Sequence, residues 1–276
     1  MKNVTAITAF ALCALMSAVT AAALPSPATV TSLGLEHGLS NSYVVSIAQD
    51  KRGIMWVATE DGLNIFDGGR FIPIYKSETS PEVGLSGNEL NTLLDDPVDS
   101  VMWIGTQRAG INAFDYSDGS IRRIRHNPDD PSSLVTDDVT RIVALSTGKL
   151  LVATFWWGVD VFDPEKGVFE HFNHTNVAGM PMCNIWTVAD SGDGDNIYIG
   201  HKTGFMELSL KKRRARNYSA GTARPDSVPG NMVYSIVPRS SGKVLVGTDC
   251  GIAEFDPETK KFVHMSSGPL SHAMIY

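Results

Sequence analysis

With 276 residues, of which 43% are hydrophobic and 19% charged, the chain has an ordinary globular composition and enough length for a sizeable core in one or two domains. Its formal net charge of −7 argues against a non-specific nucleic-acid binder, because phosphate contacts need a basic face. We therefore expect no nucleic-acid contact by this region.

The N-terminus has the pattern of a secretory signal peptide. Lys2 provides a positive start, an apolar run extends from Val4 to Val19, and Ala21 to Ala23 form a small-residue cleavage pattern. The run is short for a helix that spans a bilayer, so a membrane anchor is the less favoured alternative. We predict a signal peptide over residues 1–23 and a periplasmic or extracytoplasmic location for the mature chain.

The rest of the chain repeats one pattern five times. The stretch GIMWVATEDGLNIFD, residues 53–67, returns as SVMWIGTQRAGINAFD, GKLLVATFWWGVDVFD, DNIYIGHKTGFMELSL and GKVLVGTDCGIAEFD. Each copy has a turn glycine, and successive glycines are 46–48 residues apart. These glycines are Gly62, Gly110, Gly158, Gly204 and Gly251. Strong β-formers between Gly and Asp turns predict three strands per repeat, followed by a more polar fourth strand.

Four antiparallel strands in 46–48 residues are typical of one blade of a β-propeller. A single blade cannot bury its two apolar faces, whereas blades stacked around an axis cover one another, with Trp56 and Trp103 in the core. We therefore predict an all-β propeller with five four-stranded antiparallel blades. A solenoid with one helix per repeat is rejected, because no repeat has a 3.6-residue apolar period. The predicted blades cover residues 39–75, 85–124, 134–172, 180–218 and 228–264.

Both ends of the repeat array predict further strands. The C-terminal stretch GPLSHAMIY copies the start of a repeat, so the beginning of a sixth blade is predicted over residues 270–276. The N-terminal stretch ATVTSLGL, residues 28–35, could form one strand. Because a propeller must close to remove its sheet edges, the sequence predicts an incomplete, truncated ring.

The repeat also carries a family resemblance. The stretch GLSNSYVVSIAQDKRGIMWVATEDGLNIFD resembles the two-component regulator propeller repeat, and the resemblance extends from Leu33 to Tyr276. It implies the extracytoplasmic sensor region of a hybrid two-component histidine kinase of gut Bacteroidetes or related bacteria. The chain would be the N-terminal part of a periplasmic propeller that recognises an oligosaccharide and regulates glycan-utilisation genes.

The same resemblance implies partners for the chain. They are the remainder of the propeller and of the sensor chain, together with a second copy in a dimeric sensor. The full-length parent would be a histidine kinase in the inner membrane. The chain itself has no kinase motif and no DNA-binding motif, so we expect no catalytic activity from it.

One turn between the second and third strands differs from the others. The turns TED, TQRA, HKT and TDC are polar, whereas the third repeat has Phe155 to Trp157 at this place. At least one of these aromatics should be exposed, where it could stack on a sugar ring, with charged donors in the neighbouring turns. The alternative is that they seal the face against the connection at Asn173 to Cys183, or contact another domain. The predicted ligand-binding residues are Phe155, Trp156, Trp157, Arg108, His201 and Lys202.

Two other classes of function stay open, a secreted propeller hydrolase or lyase acting on glycans and a non-catalytic interaction scaffold. The histidines His171, His174 and His201 are scattered over different loops, and no Ser–His–Asp signal or matched pair of carboxylates is recognisable. Nothing near Cys183 or Cys250 has metal-ligand spacing, which favours free thiols. We therefore predict no catalytic residues, no metal site and no cofactor.

A basic run, KKRRAR from Lys211 to Arg216, falls in the last turn and outer strand of the fourth repeat. Charge on an outer strand prevents edge-to-edge pairing between sheets, and this is the favoured interpretation. Contact with an anionic polysaccharide or lipid is the alternative.

Overall fold

The computed structural model describes residues 31–220 and 227–265, which contain twenty β-strands and one short 3-10 helix, Leu35–His37. The predicted signal peptide and the predicted start of a sixth blade lie outside the described residues. The described residues from Gly34 to Met265 belong to one compact unit.

Each group of four consecutive strands forms one antiparallel sheet in sequence order, which confirms the all-β propeller with five four-stranded blades. Blade one contains β1 (Val44–Gln49), β2 (Met55–Thr59), β3 (Gly62–Phe66) and β4 (Phe71–Ile74), and blade two contains β5 (Leu90–Asp95), β6 (Val101–Thr106), β7 (Ile111–Asp115) and β8 (Ile121–Ile124). Blade three contains β9 (Val139–Ala144), β10 (Leu150–Thr154), β11 (Val159–Asp163) and β12 (Val168–Phe172), and blade four contains β13 (Ile185–Asp190), β14 (Asn196–His201), β15 (Gly204–Ser209) and β16 (Arg214–Tyr218). Blade five contains β17 (Val233–Pro238), β18 (Val244–Thr248), β19 (Gly251–Asp256) and β20 (Lys261–His264).

The hydrophobic core consists of the layers between successive blades. One layer joins blades one and two around Trp56, and the next joins blades two and three around Trp103, as the sequence predicted. Two more layers join blades three to four and four to five. The second strand of each blade is buried almost throughout, and in blades two to four both of its faces pack against a neighbouring blade.

The strand expected at the N-terminal end is not seen in the part of it that the structure describes. Residues 31–34 have no regular secondary structure, and the 3-10 helix begins at Leu35. Gly38 ends this helix in the left-handed region with φ 90°, and a Cβ there would approach the carbonyl oxygen of Phe71 to 2.8 Å. The chain therefore enters blade one through a tight turn against β4.

Blade one leaves one of its faces exposed. Val44 and Ile47, the first and fourth residues of β1, are 40% and 60% exposed. The residues at the same places in blade two, Leu90 and Leu93, are 1% and 8% exposed. The equivalent residues of blades three to five are also buried, because a preceding blade covers them. Leu39, Phe66 and Phe71 pack against Val57 on this side of blade one, but Val44 and Ile47 stay open to solvent.

Two further sequence expectations concern the cysteines and membrane-spanning helices. Cys183 is buried and Cys250 exposed, and both are free thiols. Within residues 31–220 and 227–265, no helix has the length and apolarity needed to cross a bilayer.

Candidate functional site

A threonine closes the turn between the second and third strands in four of the five blades. Its hydroxyl donates to the carbonyl oxygen of the turn glycine at 2.8–3.0 Å. The four pairs are Thr59–Gly62, Thr106–Gly110, Thr154–Gly158 and Thr248–Gly251. All four threonines are fully buried, so the residues between threonine and glycine are the ones that each turn presents to solvent.

These turns lie beside the connections between blades. The N–H of Gly62 donates to the carbonyl of Asn88 at 2.9 Å, and that of Gly110 donates to Asp137 at 2.9 Å. In blade three the N–H of Phe155 donates to the carbonyl of Asp138 at 3.2 Å. Turns and connections therefore share one face of the propeller, and side chains from both can meet there.

The aromatic turn of blade three is partly open to solvent. Trp156 and Trp157 are 44% and 46% exposed, whereas Phe155 is half-buried. The ring of Phe155 makes edge contacts with Trp156 at 5.5 Å and with Trp186 of blade four at 5.6 Å between ring centroids. The ring of Trp157 lies 6.4 Å from that of His174. Nearly half of each tryptophan is thus accessible to solvent, next to a phenylalanine that lies between blades three and four.

A cavity of about 240 Å³, called here the aromatic pocket, lies between blades two, three and four beside this turn. Its wall is formed by polar side chains and two aromatic rings from all three blades. They are Asn91, Gln107, Arg108, Asp138, Thr140, Phe155 and Trp186. Two of the predicted ligand-binding residues, Arg108 and Phe155, therefore share one cavity.

The aromatic pocket contains polar groups that the protein leaves without partners. The indole Nε1–H of Trp186 and the hydroxyl of Thr140 are both buried, and neither has a hydrogen-bond partner among the described residues. Burial raises the pKa of Asp138, and the charge of Arg108 offsets only part of this rise. A buried polar group without a partner costs about 1–3 kcal/mol, so a hydroxyl-rich ligand that supplied partners would be stabilised here.

Arg108 also lines a second cavity, of about 410 Å³, between blades one and two. We call it the basic cavity, because Lys76 and Arg125 contribute two more cations and Glu89 contributes one carboxylate. Arg125 donates to the carbonyl of Ser86 at 3.2 Å. Arg108 is exposed and makes no ion pair or side-chain hydrogen bond with any described residue, so its guanidinium remains available to a ligand.

His201 and Lys202 of blade four have different environments. His201 takes the place of the turn threonine and is only 2% exposed. Its Nδ1 lies 3.1 Å from the hydroxyl of Thr203, while its Nε2 is buried with no partner among the described residues. Burial lowers the pKa of His201 to about 4, so the ring is neutral at pH 7. Lys202 is exposed, whereas His201 has almost no surface to offer a ligand.

The pocket residues that sequence reasoning missed come mostly from the first strands. Asn91 is the second residue of β5, Thr140 the second residue of β9 and Trp186 the second residue of β13. The first and fourth residues of these strands are apolar in every blade, whereas the second residue is Val, Asn, Thr, Trp or Tyr. A position of changing polarity between two positions that are apolar in every repeat is a signal for an inward-facing, non-core site, and it could have identified these residues.

Comparison with known proteins decides the family of the repeat. The family model described as Two component regulator propeller matches residues 38–61. The crystal structure of the extracellular domain of the hybrid two component system BT3049 from B. thetaiotaomicron is similar to this chain with a TM-score of 0.78 and 42% sequence identity. Residues 38–61 of this chain are a two-component regulator propeller repeat.

Two further proteins are similar to this regulator propeller. The extracellular domain of the one component system BT4673 from B. thetaiotaomicron has the same fold, with a TM-score of 0.66 at 18% identity over 87% of this chain and 34% of that one. Histidine kinase P4 of Formosa agariphila is 49% identical over 49 residues, which are 18% of this chain and 4% of the kinase. The match to BT3049 covers 85% of this chain and 31% of that one, so the regulator propeller spans about a third of the length of these extracellular domains.

Proposed function

We propose that this regulator propeller is the N-terminal part of the periplasmic sensor of a membrane-bound hybrid two-component histidine kinase. Its ligand would be an oligosaccharide, and its output would regulate glycan-utilisation genes. The similarity to extracellular domains of two-component systems supports the sensor role. The signal-peptide pattern at the N-terminus supports a periplasmic location.

The observation that carries the oligosaccharide proposal is the aromatic turn beside the aromatic pocket. Sugar rings present apolar C–H faces to aromatic rings and hydroxyls to polar side chains, and this site offers both. Trp156 and Trp157 are each nearly half exposed, and Phe155, which lines the pocket, contacts the ring of Trp156. We expect Lys202 to contribute from the neighbouring turn, and His201 only if its ring leaves the interior.

A glycan-cleaving propeller enzyme is the competing proposal. Glycoside hydrolysis ordinarily uses two carboxyl groups, about 5–10 Å apart, on either side of the scissile bond. Among the residues that line the aromatic pocket, Asp138 is the single carboxylate. This composition favours binding over turnover.

Titration calorimetry with oligosaccharide digests of plant and algal polysaccharides tests the proposal, with chromatography of the mixtures to detect cleavage. We expect binding without cleavage, and an affinity loss of about tenfold or more in the double variant Trp156→Ala/Trp157→Ala. Tyr43→Ala is the matched control, since Tyr43 is an exposed aromatic of blade one, 62% accessible, outside the aromatic pocket. Cleavage of a digest, or binding that the double variant leaves unchanged, would contradict the proposal.

We further propose that additional blades of the same sensor chain cover the open face of blade one. The exposed Val44 and Ile47 occupy positions that a preceding blade buries in blades two to five. Stacking of another blade would remove this apolar surface from water and protect the sheet edges. A second copy of the chain in a dimer is the remaining partner that the family resemblance implies.

A further inference from the structure

From the two cavities that meet at Arg108, we infer that the ligand is an acidic oligosaccharide. One sugar ring would occupy the aromatic pocket, and a carboxylate or sulfate group of the same ligand would bind Arg108 and Arg125 in the basic cavity. This inference rests on the proposed function, because it assigns the ligand class of the same site.

The size of the aromatic pocket limits what can enter it. Its volume of about 240 Å³ lies below the roughly 300–1,000 Å³ of pockets that enclose drug-sized molecules. It therefore suits one sugar ring rather than two. Phe155 and Trp186 supply ring faces, while Asn91 and Asp138 supply hydrogen-bonding groups at the wall. The rest of an oligosaccharide must lie outside the pocket, along the surface that it shares with the basic cavity.

The charge of the basic cavity indicates the nature of the next group. Lys76, Arg108 and Arg125 contribute three cations and Glu89 one carboxylate, in a chain whose net charge is −7. Lys76 pairs with Glu78 at 2.6 Å, but neither arginine is in an ion pair with a described residue. Arginine binds carboxylate and sulfate groups through paired hydrogen bonds, which are stronger than those between neutral groups. Glu78 and Asp138 offset part of the charge of Arg125 and Arg108, but neither arginine has a carboxylate of a described residue within ion-pair distance, so both can still bind an acidic group more strongly than a neutral sugar.

A second basic surface on the molecule must be distinguished from this site. Lys212, Arg214 and Arg216 line a shallow cavity of about 180 Å³ on the outer strands of blades four and five, together with Lys260. Lys260 pairs with Glu207 at 2.6 Å, and Arg216 stacks on Tyr218. The side chains that line this cavity include no aromatic ring, so it could attract a polyanion but has no wall suited to a sugar face.

The test compares acidic oligosaccharides with matched neutral ones on the full chain. The probes are pectin and alginate oligosaccharides with their esterified forms, and sulfated galactan oligosaccharides with their desulfated forms. Calorimetry should show tighter binding of at least one acidic member than of its neutral counterpart. Arg108→Ala should weaken the acidic member about tenfold or more and the neutral one less than threefold, and Arg125→Ala should act in the same direction. Carboxylated and sulfated probes distinguish the two kinds of acidic group.

Arg214→Ala is the control for non-specific attraction, and its effect on the acidic probe should stay below twofold. Equal binding of acidic and neutral members would overturn the inference and leave the oligosaccharide proposal intact. An equal loss of affinity in the Arg108 and Arg214 variants would also overturn it, since the attraction would then be diffuse. Failure of every probe to bind would overturn both the inference and the oligosaccharide proposal.

Discussion

The indole N–H of Trp56 donates to Oδ2 of Asp50 at 2.9 Å inside blade one, and Trp103 makes the same bond to Asp96 at 2.7 Å in blade two. Asp50 also accepts from the backbone N–H of Ile54 at 3.0 Å. Burial alone would raise the pKa of Asp50, but the hydrogen bonds from Arg52 and Trp56 outweigh it and the pKa is lowered. One ionised aspartate thus fixes both the turn after the first strand and the core tryptophan of the second.

Replacement of this aspartate should destabilise the propeller. Asp50→Ala leaves the buried Trp56 N–H and two turn N–H groups without their acceptor, and we expect a loss of about 2–3 kcal/mol in the free energy of unfolding. Urea unfolding followed by tryptophan fluorescence measures it. Asp118→Ala is the control, because Asp118 is exposed and binds only its own turn, so its loss should be within about 1 kcal/mol. Equal losses in the two variants would refute the role assigned to Asp50.

The strands could be predicted from the sequence because their core positions are dictated by packing on both faces. Trp56 and Trp103 were recognisable as core because a tryptophan recurs beside β-branched or aliphatic residues at the same place in the repeat. The aromatic turn was recognisable because it breaks the polar pattern of its neighbours. The charge of Arg108 and Lys202 at exposed turn positions could be read in the same way.

The aromatic pocket could not be predicted in the same way, since it depends on which side chains of three different blades meet. Asp138 belongs to a connection and Trp186 to a first strand, and nothing in their separation along the chain indicates that they share a wall. At His201 the local sequence pattern suggests a ligand contact, but the fold buries the residue. A histidine beside a lysine in a turn suggests a ligand donor, but the repeat needs a buried residue at that position, and the fold takes precedence over the local pattern.

His201 should make blade four sensitive to acid. Its pKa is lowered to about 4 by burial, against about 6.5 in an unfolded chain, so the unfolded state binds a proton first as the pH falls. The free energy of unfolding should therefore decrease between pH 6.5 and 4. His201→Thr restores the hydroxyl that closes the other turns and should remove up to about 3 kcal/mol of this decrease.

Thermal and urea unfolding between pH 4 and 7 measure the effect of His201→Thr. His174→Thr is the control for the exchange of a histidine for a threonine, since His174 is exposed and its replacement leaves the interior of blade four unchanged. If the free energy of unfolding changed with pH equally in the His201 variant and in the unsubstituted chain, the assignment of a buried neutral ring would be contradicted.

The buried Asp160 and the half-buried His171 form a pair whose contribution to stability should change with pH in the opposite sense. His171 Nδ1 lies 2.7 Å from Asp160 and its Nε2 lies 2.9 Å from the carbonyl of Pro131, so both ring nitrogens face acceptors and the imidazolium is favoured. The hydrogen bond to Asp160 is the main cause of the raised pKa of His171. Stability from this pair is present below about pH 6.5 and should be lost as the pH rises through the raised pKa.

Asp160→Asn tests this pair with little change of shape, because Asn64 and Asn112 fill the same place in blades one and two and accept from a backbone N–H there. We expect a shallower decrease in the free energy of unfolding between pH 6.5 and 8 than in the unsubstituted chain. Asp163→Asn is the control, because it removes a carboxylate that pairs with lysines. This variant should keep the full decrease in the free energy of unfolding between pH 6.5 and 8. A slope unchanged in the Asp160 variant would show that His171 does not carry the effect.

The open face of blade one gives a prediction that compares equivalent positions in two blades. Leu93→Ser should cost about 3 kcal/mol or more, because Leu93 is buried between blades one and two. Ile47→Ser at the same place in blade one should change the stability of this chain by only about 0.5 kcal/mol, because Ile47 is 60% exposed. In a longer chain that includes the remaining blades, Ile47→Ser should approach the cost of Leu93→Ser. Urea unfolding of both chain lengths measures these differences, and an Ile47 variant equally mild in the longer chain would mean that no blade packs on this face.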